Sequence, residues 1–342
     1  MQNQIVEKTR LLDENGNIAN PGYAKTYLMQ YDRADINANK MRIKEWDYFY
    51  IQAGDYALCL TVADMGYVGA ISATVMDFVT PSQITQSSVG FFPMGKFNMP
   101  STPDVGDIKA KAGKAEISIT NNGKERHIVG SYPKFDNGKE LRFDIVIDQF
   151  PAECMYIATP FDKPKYFYYN AKLNCMRANG KFWVGEREYL VQDQLATLDW
   201  GRGVWTYDNT WYWGSLQTRL EDGSLFGFNI GYGFGNTSAA SENMLFYNGT
   251  SHKLEDVTFH IPGDNTKDID YMKEWKFTSS DGRLELDFKP IIDRYAPFDL
   301  KIMCMIPHQV FGLFSGKAVL DDGKEIILKD VLGFAEKVHN KW

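Results

Sequence analysis

Apolar and polar side chains alternate one by one along most of this chain, which is the period of a strand with one buried face. Leu141-Arg142-Phe143-Asp144-Ile145-Val146-Ile147, Leu284-Glu285-Leu286-Asp287-Phe288 and Lys324-Glu325-Ile326-Ile327-Leu328 carry the pattern. Between such runs stand short polar turns at Asn15-Gly16, Asn122-Gly123, Asn137-Gly138, Asp222-Gly223, Asp281-Gly282 and Asp322-Gly323. Asn-Gly and Asp-Gly pairs take the positive φ that tight hairpins need, so the chain predicts a long meander of antiparallel hairpins. Helix-period stretches are scarce, and the best helical candidate, Ser238 to Asn243, is short. Without βαβ alternation the expected fold is all-β, either β-sandwiches or closed barrels. A barrel of about eight strands can enclose one small ligand.

A length of 342 residues suggests two domains. Hydrophobic residues at 44% and charged residues at 24% mark an ordinary globular protein. The net charge of −7 and the lack of a basic stretch argue against nucleic acid as a partner. No apolar signal segment and no membrane-length run stands in the sequence, so a cytoplasmic location is expected. Cys59, Cys154, Cys175 and Cys304 are scattered without C-x-x-C spacing, and reduced buried thiols are expected, with no metal site. Gly231-Tyr232-Gly233-Phe234-Gly235 lacks the strand-then-helix setting of a nucleotide loop, and no cofactor is expected.

The densest chemistry lies in Leu198-Asp199-Trp200-Gly201-Arg202-Gly203-Val204-Trp205, followed by Trp211-Tyr212-Trp213-Gly214. Four of the eight tryptophans fall there, beside one acid and one arginine. The run reads either as the wall of a ligand cavity or as an aromatic core corner holding a buried Asp–Arg pair. Desolvation beside Trp200 would raise the Asp199 carboxyl and suit it to general acid work; pairing with Arg202 would lower it and leave a fixed carboxylate. Trp211 and Trp213 share one face of a strand, with Tyr212 opposite. Asp64, in an apolar run, is a candidate ligand partner or a strand-ending acid that satisfies turn amides. His308 is a candidate ligand contact or a core histidine. Lys44-Glu45-Trp46 recurs as Lys273-Glu274-Trp275, each Trp followed eighteen positions later by an Asp (Asp64, Asp293), which suggests an internal duplication.

Several motifs, in this order, resemble the two-domain lipocalin-like proteins of the carotenoid hydratase and AttH type, and most of all a bacterial family of unknown function within that set. They are Glu45-Trp46-Asp47-Tyr48-Phe49-Tyr50, Asp199-Trp200-Gly201, Trp211-Tyr212-Trp213, Asp222-Gly223, Lys289-Pro290, Phe314-Ser315-Gly316 and Gly333-Phe334-Ala335-Glu336. The resemblance implies two tandem lipocalin-like domains, 1–205 and 206–342, with the ligand in a barrel or between the domains. It also brings in Glu45, Asp47 and Glu336 as acids near aromatics. Hydratase-like members carry an acid and a base ahead of the acid-Trp-Gly motif. Here those positions are Thr197 and Leu198, and Ser315 replaces a late acid before Gly316.

The sequence therefore predicts a protein that binds an apolar small molecule, polyene-, isoprenoid- or lipid-like, without chemistry. Trp46, Asp64, Trp200, Trp205, Trp211, Trp213, His308 and Glu336 are the expected ligand contacts. The alternative is a cofactor-independent hydratase, isomerase or cyclase, with Asp199 supplying or positioning the proton and Arg202 setting its charge. In that case aromatic faces would stabilise a developing carbocation. A carbohydrate-binding β-sandwich is a more distant alternative.

Overall fold

The hairpins assemble into two large antiparallel sheets in the computed structural model, which describes residues 2–264, 266, 269–299 and 303–342. Asn137 and Gly138, at φ 47° and 88°, close the turn between the strands Glu125–Asp136 and Lys139–Asp148, as their sequence requires. No α-helix forms among the described residues, and Ser238 to Asn243 is irregular. No described helix is long and apolar enough to cross a membrane. The fold is all-β, with two lipocalin-like domains.

Both sheets follow one plan. In the first, a meander of Ile43–Ala53, Tyr56–Asp64, Val68–Asp77 and Ser82–Phe91 runs to one edge, and its first strand pairs with the last, Arg187–Val204. Phe167–Val184 and four further strands complete the path. The sheet curls until Ser88 on one edge strand donates its hydroxyl to Tyr132 at 2.7 Å, giving a nearly closed barrel. In the second, Asp208–Arg219, Leu225–Tyr232, Met244–Tyr247 and Thr250–Lys253 form the meander, and again the first strand pairs with the last, Glu325–Lys341. Cys304–Val319, Leu284–Tyr295, Trp275–Ser279 and Val257–His260 follow, as a half-barrel.

The Lys-Glu-Trp echo does not mark equivalent positions in this repeat. Trp46 sits on the first strand of its sheet, whereas Trp275 lies on an outer strand of the other and is buried in that sheet's own core. Register supplies the true correspondence. Tyr48 stands opposite Asp199 in the first sheet, and Trp213 opposite Glu336 in the second. Trp46 therefore corresponds to Trp211, and Asp199 to Glu336.

Each sheet has a core inside its curve: Phe49, Leu60, Ile117, Ile145 and Trp200 in the barrel, Phe228, Trp275, Phe288 and Phe314 in the half-barrel. The outer faces of the first and last strands of each sheet pack against each other. Leu195 through Val204 is consequently buried on both faces, and so is Phe167 through Met176. Alternation of exposure disappears there although alternation of direction persists.

On the seam face of the first sheet, the Trp46 ring lies over a glycine of the neighbouring strand. A Cβ on Gly201 would lie 1.9 Å from the Trp46 ring, which Tyr168 and Trp205 hold in place. Gly201→Ala should therefore lower stability by about 1–3 kcal/mol, the usual range for overpacking, measured by denaturant melts. Trp46→Ala in the same background should recover much of that loss; a Gly201→Ala variant as stable as wild type would contradict the packing.

Candidate functional site

Strand parity decides which side chains meet. On Arg187–Val204, Thr197 and Asp199 point into the seam, while Leu198, Trp200, Arg202 and Val204 point into the barrel. Across the seam, Trp211 and Trp213 share one face of Asp208–Arg219, and Glu336 projects beside them from Glu325–Lys341. Asp199, Trp46, Trp211, Trp213 and Glu336 thus converge between the two sheets.

Asp199 is the centre of the first half of the cluster. Its Oδ1 accepts a hydrogen bond from Asn170 Nδ2 at 2.5 Å and pairs with Lys172 Nζ at 3.1 Å; its Oδ2 accepts from Trp46 Nε1 at 3.3 Å. Lys172 Nζ lies 3.8 Å from the centre of the Trp213 ring, so the cation is held between an indole face and a carboxylate. Trp213 Nε1 donates to Asn229 Oδ1 at 2.6 Å, and Asn229 Nδ2 reaches Glu242 Oε2 at 3.4 Å.

Glu336 is the centre of the second half. Trp211 Nε1 donates to its Oε1 at 2.9 Å, as Trp46 donates to Asp199. Gln309 Nε2 donates to Oε2 at 2.9 Å, and Gln309 in turn accepts from Arg294 at 2.8 Å. Register places Lys172 opposite Asp199 and Gln309 opposite Glu336. The two halves share the indole donor and differ in the facing strand, which brings the Lys172 ammonium and the Asn170 amide to Asp199 and the neutral Gln309 amide to Glu336.

Burial dominates at Glu336. Burial pushes its carboxyl up from 4.5 to about 7, against the Trp211 hydrogen bond and the Lys172 and Arg294 charges, while Asp199 adds to the rise. Glu242 is also raised, chiefly by burial, with Lys172 opposing and Asp199 assisting. Burial, then the charges of Glu242, Asp199 and Glu336, hold the Tyr168 phenol well above its ordinary range. Three carboxylates therefore share one lysine, and each keeps 7–8% of its surface accessible inside the seam.

The site's outer end is aromatic. Trp205 packs on Trp46 with ring centres 4.9 Å apart, on Trp211 at 6.2 Å and on Phe234 at 4.9 Å. Trp46 and Trp211 are half-buried, whereas Trp205 and Trp213 are buried. These rings touch one another, so the wall is a packed cluster with two half-open members.

With this geometry in place, residues 2–342 match the model of a family described as a domain of unknown function, DUF2804. The chain belongs to the DUF2804 family. No curated protein matches it in sequence. Among solved structures it is similar to kievitone hydratase from Nectria haematococca, at 14% identity and a TM-score of 0.53, covering 98% of both chains. It is also similar to an AttH-like protein from Nitrosomonas europaea, at 12% identity and a TM-score of 0.51, covering 90% of this chain and 96% of that one. At these identities the likeness is one of fold.

Four of the residues expected at the site of this DUF2804 chain lie elsewhere. The Asp199–Arg202 pair does not form, because a separation of three places the two on opposite faces of the strand. Arg202 is buried in the barrel, bonded to Asp47 Oδ1 at 3.0 Å, near Glu45 at 3.9 Å and over the Trp200 ring at 4.1 Å. Trp200 packs there on Tyr31 and Tyr169. Asp64 accepts from the backbone N–H groups of Gly66 and Gly95, the turn-satisfying alternative. His308 points into the half-barrel, bonded to Asp293 at 2.7 Å and stacked between Tyr271 and Tyr295.

Sequence reasoning passed over Lys172, Asn170, Asn229, Glu242 and Gln309. The signal existed in Phe167-Tyr168-Tyr169-Asn170-Ala171-Lys172-Leu173-Asn174, where polar residues recur at every second position. Such a face reads as solvent-exposed, and here it faces the other sheet. No described group of three or more His, Cys, Asp or Glu is arranged to hold a metal ion.

The raised Glu336 carboxyl carries a sign for stability. The folded group holds its proton up to about pH 7 and the unfolded group releases it near 4.5, so this contribution is whole below 4.5 and lost as pH rises through 7. Relative to Glu336→Gln, wild type should lose about 3 kcal/mol across that window, read by denaturant melts at a series of pH values. Parallel stability curves for the two proteins would contradict the assignment.

Proposed function

We propose that this DUF2804 chain is a cytoplasmic, cofactor-independent acid–base catalyst of the hydratase or isomerase kind, formed by domains 1–205 and 206–342. The observation that carries the reading is the pair of equivalent carboxylates in unequal settings. Asp199 has a lysine at 3.1 Å, and among the described residues Glu336 has only neutral donors within hydrogen-bond reach. Groups whose environments drive them apart in charge are the usual basis for dividing acid and base roles. The structural likeness to a kievitone hydratase supports the class of reaction.

In this reading an unsaturated, largely apolar molecule enters past Trp46 and Trp211. Glu336 gives its proton to one carbon of the double bond, and positive charge develops at the other. The faces of the indoles stabilise that charge. Water adds to the cationic carbon and loses a proton to Asp199; return of that proton from Asp199 to Glu336 restores the enzyme, so the sum is addition of one water. Isomerisation follows the same first step, with loss of a different carbon-bound proton.

Binding without turnover is the second reading, and the mutual packing of Trp46, Trp205 and Trp211 favours it, because a rigid wall needs no chemistry. Incubation of the whole protein with styrene-, polyene- and isoprenoid-type alkenes in isotope-labelled water separates the two. The catalytic reading expects label in the product and a loss of about two orders of magnitude or more in Glu336→Gln, the scale of a removed general acid. Bound alkene recovered unlabelled, equally from wild type and Glu336→Gln, would support the carrier instead.

A further inference from the structure

The seam continues past the carboxylates to the opposite edge of the two sheets. There it opens on a groove of about 830 Å3 walled by Gln52, Gln194, Leu195 and Gln217, with the 221–222 and 324–325 turns at its rim. From this groove to Asp199 runs a ladder of polar side chains. Gln217 Oε1 accepts from Thr197 Oγ1 at 2.8 Å and from the Cys175 backbone N–H at 3.0 Å. Asn174 Nδ2 donates to Ser215 Oγ at 2.8 Å and to the Phe228 carbonyl at 3.2 Å. Asn170 Nδ2 donates to Asp199. Thr197 is two residues, about 7 Å, from Asp199 along its strand, and Asn174 is four residues, about 13 Å, from Asn170, with Lys172 between them.

These partners fix the orientation of every amide, because a backbone N–H meets only an acceptor and a carbonyl or carboxylate oxygen meets only a donor. Each amide then has one atom left over. Gln217 Nε2, Asn174 Oδ1 and Asn170 Oδ1 are buried without a hydrogen-bond partner among the described residues. The three residues are 0–1% exposed. A buried polar atom left unpaired costs about 1–3 kcal/mol, and three in a row between a groove and a carboxylate is the pattern that buried water satisfies.

The backbone is bent to build this ladder. Pairing of Phe167–Val184 with Arg187–Val204 slips between Leu173 and Met176, and Cys175 takes φ 61°, a left-handed value uncommon for a non-glycine residue. Asn174 faces the seam by the same alternation as Asn170 and Lys172; the bulge then returns Met176 to the barrel core, while aiming the Cys175 N–H at Gln217.

We propose that Gln217, Thr197, Asn174 and Asn170 form a hydrated conduit that carries water from the groove to Asp199, separate from the tryptophan end where the small molecule enters. The use of that water rests on the acid–base reading above; its presence does not. Gln217, Thr197 and Asn174 are positioning residues, acting through the water they hold.

A high-resolution crystal structure of the whole protein tests the conduit directly. Ordered water should lie within hydrogen-bond distance of Gln217 Nε2, Asn174 Oδ1 and Asn170 Oδ1 and connect to the groove. In solution, exchange of the Asn170 and Asn174 side-chain amide protons with water should slow at least tenfold in Gln217→Leu and in Thr197→Val, and keep its wild-type rate in Thr197→Ser. If Gln217→Leu fails to fold, the Thr197 pair carries the comparison. Dry amides, amides re-paired with protein groups, or exchange unchanged in Thr197→Val would overturn the proposal. Water in place with Glu336 titrating near its ordinary value would overturn the acid–base reading and leave the conduit standing.

Discussion

The arrangement depends on keeping one ammonium and three carboxylates out of water between two sheets. Isolated buried charges are strongly unfavourable, so Lys172 stays beside Asp199, and burial raises the carboxyls of Glu242 and Glu336. The Lys172–Asp199 contact at 3.1 Å is therefore the interaction around which the seam is organised. Glycines leave room for the side chains around it: a Cβ on Gly201 would strike the Trp46 ring on the neighbouring strand, and one on Gly231 would lie 2.8 Å from Glu242 Oε1. Aromatic clusters on either side, with Tyr48, Phe311 and Phe334 in one and Tyr168, Trp205 and Phe234 in the other, seal the polar strip between them.

The repeated topology gives this strip its asymmetry. A first strand paired to a last strand occurs in each sheet, and each pairing brings an indole N–H to a carboxylate: Trp46 to Asp199 and Trp211 to Glu336. The neighbouring strand then places Lys172 in one half and Gln309 in the other. Asp199 therefore lies beside an ammonium and Glu336 beside a neutral amide, where burial raises its carboxyl. The bulge at Cys175 adds a further difference, since it aims the Cys175 N–H at Gln217 on the Asp199 side.

Much of the fold was legible because turns and alternation are local. Asn137-Gly138 and Asp222-Gly223 mark hairpins by backbone conformation alone, and Trp211 and Trp213 share a face by simple parity. The same parity separates Asp199 from Arg202, and proximity in sequence concealed it. What sequence could not supply was the identity of the surface that each face meets. Asn170, Lys172 and Asn174 alternate as an exposed strand would, yet lie against a second sheet, and Gln309 gains its meaning only from a register set some 27 residues away across the Glu336 pairing. The Lys-Glu-Trp echo misled because chance identity of three residues carries no register.

The central claim is that the Glu336 carboxyl, buried in the seam and bonded to neutral donors, is lifted from 4.5 to about 7. Side-chain carbon NMR of protein labelled at aspartate and glutamate carboxyls, assigned with Glu336→Gln and titrated from acid to neutral pH, tests it most directly. The account predicts a Glu336 resonance with its midpoint at about 7, moving higher in Lys172→Met, where an opposing positive charge is gone. A Glu336 midpoint near 4.5, unchanged by loss of Lys172, would contradict it.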